Sequence, residues 1–411
     1  MFALNVLRNY IPLGDRIIFN IPPCETVEID TAHEKAARAL KHLLKLNHAN
    51  NAILWNERRF HNHSPHSLSS FYLLGGNAND LNRLYEAELK PLEAWSDSPG
   101  EISTYDWRDY LGKREYQRAY VDFFEDELVR HGYDWKKVVA GYLFSGKEPL
   151  FNALTSDLGH PLIHLAYAFE VSSREVAMEA LSLASVCYGT THKYLDDPSY
   201  SQAEASYYST SPFEILQKVR ADKRLSNLFT APGDHNTEVV FREAEATILD
   251  HWNAWRISPN TNPMKQLRES QELAVALLTA TQPDTADPKY DFFFVHLLTT
   301  SHAVRVLLPL IPARFQTPLV RQWWLFTLAV YIGQLRPEIK LDAVHDYDIK
   351  GKDWNYIKDK ALHGEHSTET HYVKALRACR DTAKTWGDPK EFYLKAAVKF
   401  ADGFTGWGGF V

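Results

Sequence analysis

The sequence predicts an all-α protein, and two observations carry that prediction. Helix starts marked by proline, which is favoured in the first helical turn, recur along the chain at 64–65, 160–161, 211–212 and 262–263. Alternating patterns typical of strands are scarce. Because no internal repeat or low-complexity linker interrupts the 411 residues, we expect one multi-helix domain over residues 1–411.

Capping residues and apolar periodicity predict the order of the helices. Residues 1–30 are irregular and contain prolines, and the capping box Thr31-Ala32-His33-Glu34 predicts a first helix that runs to about Leu46. The dipeptide Thr317-Pro318 repeats the cap-plus-proline pattern and predicts a helix start there. The remaining helices are predicted at 64–74, 78–89, 113–131 and 135–144, from 160, 173 and 211 onward, and at 237–256, 263–281, 289–309, 318–335, 353–363, 367–385 and 388–400.

Composition and charge narrow the classes of partner. The formal net charge is −7 and no block of Lys or Arg occurs, so nucleic acid is not expected as a partner. The chain holds 11 Trp, 21 Tyr and 21 Phe. Most of these rings are expected to fill the space between helices, but the supply also suits a pocket for a flat aromatic ligand.

Cysteine usage and hydropathy predict a cytoplasmic location. The three cysteines, Cys24, Cys187 and Cys379, are far apart and form no Cys-x-x-Cys pair, which disfavours a disulfide framework, a cysteine zinc site and an iron–sulfur cluster. Residues 1–10 lack the apolar core of a signal peptide. The most apolar run, 323–333, is too short to span a bilayer, so we expect no membrane association.

Absent motifs exclude several enzyme classes. No G-x-G-x-x-G lies between a strand and a helix, so a standard dinucleotide site is not expected. A Walker loop, a G-x-S-x-G elbow and an H-E-x-x-H pair are absent as well. Glu-x-x-His pairs, which ferritin-like di-iron sites use, do not occur either.

Histidines in four segments predict a metal site assembled from separate helices. They are His61, His63 and His66, then His160 and His164, then His296 and His302, and finally His371. Each segment lies next to apolar helical sequence, and neutral imidazole is a common metal ligand. Taken singly, an ordinary role stays open, with His66 exposed at a helix start and His164 a hydrogen-bonded core residue. The four segments together favour the metal site.

Lys374 lies three residues after His371 on one predicted helix, so the two side chains point the same way. Beside a cation a buried amine has its pKa lowered from about 10.4 and can become neutral. A neutral amine can add carbon dioxide to form a carbamate, which would supply an anion for the metal. Two alternatives stay open: Lys374 is a surface lysine, or Glu365, with His363 and His371, supplies the carboxylate of a two-histidine iron site.

Four stretches resemble the questin oxidase-like family and follow its order over most of the chain. They are FHNHSPH with LLGG (60–66 and 73–76), HPLIHLAYAFE (160–170), DFFFVH with TTS (291–296 and 299–301), and HYVK with RA (371–374 and 377–378). The family comprises oxygenases of fungal polyketide pathways, and some members are described as Baeyer–Villiger-type oxidases that open the quinone ring of an anthraquinone such as questin. A similar member is a non-haem iron dioxygenase whose iron is held by four histidines and a carboxylated lysine.

The resemblance implies a set of metal ligands in this chain. Carried over motif by motif, they are His66, His164, His296, His371 and the carbamate of Lys374. Because the motifs contain both members of each pair, His63 in place of His66 and His160 in place of His164 remain open.

On this resemblance we expect an iron-dependent dioxygenase, using Fe(II)/Fe(III) and dioxygen, that opens the central quinone ring of an anthraquinone-type polyketide by carbon–carbon cleavage in fungal secondary metabolism. The alternative is an NADPH-dependent Baeyer–Villiger-type oxidase acting on the same substrate class. Since the dinucleotide motif is absent, NADPH would act only through a partner reductase. A further alternative is a non-catalytic protein that binds an aromatic metabolite. Trp323, Trp324 and Tyr331 are the candidate walls of the substrate pocket.

Overall fold

The computed structural model describes residues 17–283, 285 and 288–410, and over these residues the protein is all-α, as the sequence predicts. Residues 1–16 of the predicted irregular segment lie outside the described residues, and residues 17–30 contain no helix or strand. The helices are, in chain order, α1 (Lys35–Asn50), α2 (Ser64–Leu73), α3 (Ala78–Glu88), α4 (Gln117–Arg130), α5 (Trp135–Leu143), α6 (His160–Glu170), α7 (Arg174–Val186), α8 (Lys193–Asp196), α9 (Pro198–Ser201), α10 (Pro212–Ala221), α11 (Asn236–Glu243), α12 (Glu245–Ala254), α13 (Pro263–Thr279), α14 (Phe292–Leu307), α15 (Ala313–Gly333), α16 (Asp342–His345), α17 (Trp354–His363), α18 (Thr370–Trp386) and α19 (Phe392–Gly403).

The described strands form two small sheets of two strands each. β1 (Leu54–Trp55) and β2 (Phe60–His61) pair antiparallel, and β3 (Tyr290–Asp291) and β4 (Trp407–Gly408) pair parallel. Among the described helices, none combines the length and the apolar character needed to cross a membrane.

The predicted capping box at 31–34 is wrong. Helix α1 begins at Lys35, and Glu34 precedes it without a side-chain capping bond. Thr31 lies in a turn instead, where its backbone N–H donates to the carbonyl of Glu28 at 3.2 Å. Threonine supports turns as readily as caps, so the local pattern alone did not decide between them.

Two further helix boundaries differ from the prediction. Helix α15 begins at Ala313 and contains Pro318 in its interior, although proline removes one backbone hydrogen bond there. The single helix predicted at 237–256 is divided into α11 and α12, because Ala244 has a non-helical backbone (φ −132°, ψ 24°). Alanine is the best helix former, so packing rather than local preference sets this break.

Contacts within the described chain define two compact units. The N-terminal unit comprises residues 23–196 and 360–374, and the C-terminal unit comprises residues 197–359 and 375–410 together with 17–22. The expectation of one domain across 1–411 stays a prediction.

The core of the N-terminal unit is built around α7. Helix α7 packs against α6 and α4, while α1 packs against α2 and α3. Nearly every residue of α7 is buried, as expected of a helix enclosed by its neighbours. Local signals start these helices: Pro65 and Pro161 lie in the first turns of α2 and α6, and the Ser173 hydroxyl accepts the N–H of Val176 at the start of α7.

In the C-terminal unit the central element is α14. It packs against α13 and α15, and its residues are buried from Phe293 to Leu307. Asp291 begins it by accepting the N–H groups of Phe293 and Phe294.

Candidate metal centre

Three imidazoles from three helix starts meet in the N-terminal unit. His63 directly precedes α2, His160 is the first residue of α6 and His371 is the second residue of α18. One nitrogen of each lies within 4.8 Å of one nitrogen of each other ring. His63 Nε2 is 3.0 Å from His160 Nε2, and the rings of His63 and His371 are 4.7 Å apart.

The environment favours the neutral form of two of these rings, His63 and His371. Burial is the main cause that lowers the pKa of His63 and of His371, and the nearby charge of Lys374 lowers both further. Helix N-termini also disfavour a positive charge. Metal binding requires the neutral imidazole, so the lowered pKa of His63 and of His371 favours the form that a cation needs.

Hydrogen bonds on the outer nitrogens fix which nitrogen points inward. His160 Nδ1 donates to the carbonyl of Asp157 at 2.7 Å, and His371 Nδ1 lies 3.1 Å from Glu369 Oε1. A carbonyl or carboxylate oxygen can only accept, so each Nδ1 carries the hydrogen and each Nε2 holds the lone pair. Metal-binding histidines are oriented by bonds of this kind.

Lys374 is a buried amine beside these rings. Its side chain is only 2% exposed, and its Nζ has no hydrogen-bond partner among the described residues. Burial lowers the pKa of Lys374 to about 7, although Glu369 and Glu88 act in the opposite direction. An amine with this pKa is partly neutral at neutral pH, which makes it a nucleophile or a proton acceptor.

His66 and His164 form a second pair in the same unit. His66 Nε2 is 3.0 Å from His164 Nδ1, and His164 Nε2 donates to Glu179 Oε2 at 2.8 Å. His66 Nδ1 has no hydrogen-bond partner among the described residues. The separation of 3.0 Å fits a hydrogen bond, and it also fits two ligands at right angles on one ion, since metal–nitrogen bonds of about 2.1 Å place such nitrogens about 3.0 Å apart.

A second cluster lies behind His160. The ring of His61 stacks on that of His160 with centroids 3.7 Å apart, and His61 Nε2 is 3.0 Å from Asp157 Oδ2. Cys187 Sγ is 3.8 Å from His61 Nε2. Arg114 Nη2 contacts the same Asp157 oxygen at 2.6 Å, so a positive charge already neutralises this carboxylate, and we interpret the cluster as support for His160.

The structure thus brings together six of the histidines singled out from the sequence, with His61 stacked on His160, and Lys374 with them. His63 and His160, the alternates in the expected ligand set, form the triad with His371, while His66 and His164 form the adjoining pair. Glu365 is exposed and belongs to none of the candidate metal groups of the described residues.

His296 belongs to the C-terminal unit, where it is buried and its Nδ1 donates to the carbonyl of Phe292 at 2.8 Å. Its role as a ligand stays a prediction. Trp323, Trp324 and Tyr331 are at most 1% exposed. Trp323 Nε1 donates to the carbonyl of Leu297, and a contact of these rings with a substrate also stays a prediction.

Sequence reasoning missed the charged residues that surround the histidines. They are His48, Glu88, Glu179 and Glu369. A signal for one of them exists: Glu179 interrupts an apolar face of α7 that includes Val176, Ala180 and Leu183. A carboxylate in such a place is rarely buried without a partner.

Comparison with known proteins identifies the family. Residues 60–379 match the model of the family described as questin oxidase-like. The chain belongs to the questin oxidase-like family. The matched residues include every histidine of the triad and of the pair, and Lys374.

Curated relatives of the questin oxidase-like family are similar over most of their length. A questin oxidase of Aspergillus terreus is 24% identical over 84% of this chain and 80% of its own. The Baeyer–Villiger oxidase mdpL of Emericella nidulans is 25% identical over 96% and 90%, and a questin oxidase of Aspergillus fumigatus is 27% identical over 85% and 82%. These relatives are oxidases, and this family member is accordingly an oxidoreductase.

Proposed function

We propose that this protein is a Baeyer–Villiger-type oxidase of an anthraquinone-type polyketide, and that it works at a metal centre held by His63, His160 and His371. The names of its relatives, questin oxidase and Baeyer–Villiger oxidase, support the substrate class and the outcome. The observation that carries the location is the meeting of three imidazole nitrogens within 4.8 Å beside a buried amine that has no hydrogen-bond partner.

The reaction balances as the insertion of one oxygen atom next to a ring carbonyl. One atom of dioxygen enters the product, and the other leaves as water after receiving two electrons and two protons. NADPH and one proton supply these electrons and protons. Because the sequence has no dinucleotide-binding motif, we propose that a partner reductase delivers the electrons.

The side chains of the centre fit an iron ion. A bound iron ion would supply the one-electron exchange with dioxygen that no side chain offers. Asp157 and Glu369 orient His160 and His371 through their Nδ1 hydrogens. The burial of His160 and His371 keeps bulk water away from the inner nitrogens and so protects the lone pairs.

Lys374 is proposed to supply the negative charge of the centre as a carbamate. The neutral amine attacks carbon dioxide, the nitrogen–carbon bond forms and one proton leaves. Glu88, one of the two carboxylates whose charge acts on Lys374, already accepts hydrogen bonds from Ser67 and Thr370. Neutral imidazoles cannot balance the positive charge of a metal ion, and a carbamate on Lys374 would offset that charge.

The buried Lys374 amine also favours a second candidate, an iron dioxygenase that opens the central quinone ring by carbon–carbon cleavage. In that reaction the substrate is a hydroquinone, and both atoms of dioxygen are incorporated into its product. No external reductant is consumed. A carbamate ligand suits this chemistry equally well, so the two candidates differ in their balance of oxygen and electrons.

Labelled dioxygen separates the two candidates. Purified protein is first analysed for iron. One labelling reaction then contains ¹⁸O₂, questin, NADPH and a reductase. The other contains ¹⁸O₂ and chemically reduced questin, without NADPH or reductase. The oxidase predicts one labelled atom per product and one NADPH consumed per dioxygen. Two labelled atoms without NADPH support the dioxygenase, and the absence of stoichiometric metal would contradict both.

A further inference from the structure

A chain of hydrogen bonds leads from the surface of the N-terminal unit to the buried histidines. Glu125 Oε1 accepts from His48 Nε2 at 2.8 Å, and Glu179 Oε1 accepts from His48 Nδ1 at 2.8 Å. The second oxygen of Glu179 accepts from His164 Nε2, and His164 Nδ1 meets His66 Nε2. These side chains come from five helices, α4, α1, α7, α6 and α2.

The hydrogen bonds of this network determine the charges of Glu179 and His48. Burial would raise the pKa of Glu179, but the bonds from His164 and His48 lower it to about 2. Burial would lower the pKa of His48, but the bonds to Glu125 and Glu179 raise it to about 10. Glu179 is therefore a carboxylate that accepts at both oxygens, with His48 as its charged partner.

The charge of Glu179 determines which ring nitrogens of His164 and His66 carry a hydrogen. An ionised carboxylate only accepts, so His164 Nε2 must carry a hydrogen, and in the neutral ring Nδ1 holds the lone pair. In the metal-free protein, the nitrogen 3.0 Å away, His66 Nε2, then donates to that lone pair. The remaining nitrogen, His66 Nδ1, is left as an acceptor with no hydrogen-bond partner among the described residues.

His66 adjoins the proposed metal centre. Its ring centroid is 5.4 Å from that of His63, and after burial the charge of Lys374 is the largest cause that lowers the pKa of His66. The His66 ring, which carries this acceptor nitrogen, therefore lies next to the triad.

We infer that Glu179 is a positioning residue for this centre: it fixes the Nε2–H tautomer of His164 and, through it in the metal-free protein, that of His66, so that each ring keeps one acceptor nitrogen. Its effect on a metal rests on the proposed function, whereas its effect on the tautomers does not. His48 and His164 lower the pKa of Glu179 and so keep it charged. His48 and Glu125 connect the cluster to the surface, where the Glu125 side chain is 45% exposed.

Side-chain nitrogen spectra of protein labelled with ¹⁵N-histidine test the tautomers directly in the metal-free protein. The wild type should show a hydrogen on Nε2 and none on Nδ1 for both His164 and His66. Glu179→Gln and Glu179→Met should shift His164 towards the Nδ1–H form, because the ionised acceptor is gone. A wild-type His164 protonated on both nitrogens, or an unchanged tautomer in both variants, would overturn the inference.

Equilibrium dialysis with Fe(II) under nitrogen tests the effect on metal binding. In this inference the Nδ1 lone pair of His164 is a further ligand beside the triad, so loss of its orienting carboxylate in Glu179→Gln should weaken affinity about 10- to 100-fold. Glu86→Gln, an exposed glutamate of α3 in the same unit, is the matched control and should bind as the wild type does. Shifted tautomers with unchanged affinity would overturn the link to the centre. If the wild type itself binds no metal, the proposed function fails. The wild-type tautomers of His164 and His66 then still test whether Glu179 positions these rings.

Discussion

At the scale of single residues, Lys374 is the side chain that stability alone does not explain. A buried amine without a hydrogen-bond partner costs free energy, and an apolar residue of similar length would pack in its place without that cost. Its burial beside imidazoles whose pKa is lowered is understandable if the chemistry of the amine is used.

Replacing Lys374 should separate metal binding from stability. Lys374→Met is expected to lose the metal while the metal-free protein is as stable as the wild type or gains roughly 1–3 kcal/mol. Metal analysis and urea unfolding measure the two effects. Lys384→Met, an exposed position on the same helix, should change neither. Retention of stoichiometric iron by Lys374→Met would contradict the carbamate ligand.

His48 predicts a pH dependence of stability. Its pKa is raised to about 10 in the folded protein, against about 6.5 when unfolded. The ionised His48 therefore contributes its full stabilisation below pH 6.5 and loses it as the pH rises through 10, a loss on the order of a few kcal/mol. Urea unfolding between pH 6 and 10 should show this decline in the wild type, and a much flatter profile in His48→Gln. Equal slopes in both proteins would rule out the assignment.

At the scale of elements, the candidate metal ligands lie at helix starts. His63, His160 and His371 all lie at the first turn of a helix or directly before it, so the bounds of α2, α6 and α18 set where the imidazoles point. Gly159, with φ 76°, makes the turn into α6, a conformation that glycine adopts without strain. A change at such a start moves a ligand even when the helix itself survives.

The Ser173 cap of α7 should stabilise the folded protein by the contribution of its one hydrogen bond. Ser173→Ala removes the hydroxyl that accepts the N–H of Val176, and we expect a loss of about 1 kcal/mol in the free energy of unfolding. Urea denaturation measures it, with Ser96→Ala, an exposed loop position in the same unit, as the control that should stay within about 0.5 kcal/mol. A similar loss in both variants would argue against a capping role.

At the scale of the whole molecule, the proposed centre joins distant parts of the chain. His63 and His160 are 97 residues apart, and His371 follows more than 200 residues later. A ligand that binds only the folded state stabilises it by mass action. The centre should therefore tie together segments that local structure does not connect.

Removal of metal should lower the stability of the protein. With free metal at about 100 times its dissociation constant, binding contributes about 2.7 kcal/mol, so dialysis against a chelator should lower the thermal midpoint and added Fe(II) should restore it. The Lys374→Met protein serves as the control, and its midpoint should not respond to either treatment. A wild-type midpoint that is insensitive to metal would count against the centre.

Local sequence was sufficient for most of the helices and for the residue types of the site. The proline-marked starts of α2, α6 and α10 and the end of α5 near residue 143 follow the predictions closely, because caps and apolar period act within a few residues. The failures, at Thr31, Pro318 and Ala244, are places where the backbone departs from the local preference that predicted a cap, a helix start or a continuous helix.

The sequence by itself therefore determined an all-α protein with histidines and one lysine at helix starts, and the similarity of its motifs pointed to the family. Only the tertiary structure decided which imidazoles meet. It grouped His63 and His160 with His371, paired His66 with His164, and placed Glu179 behind that pair. The physical reason is range: helix signals act over one or two turns, whereas these contacts join side chains whose distances depend on how the helices pack.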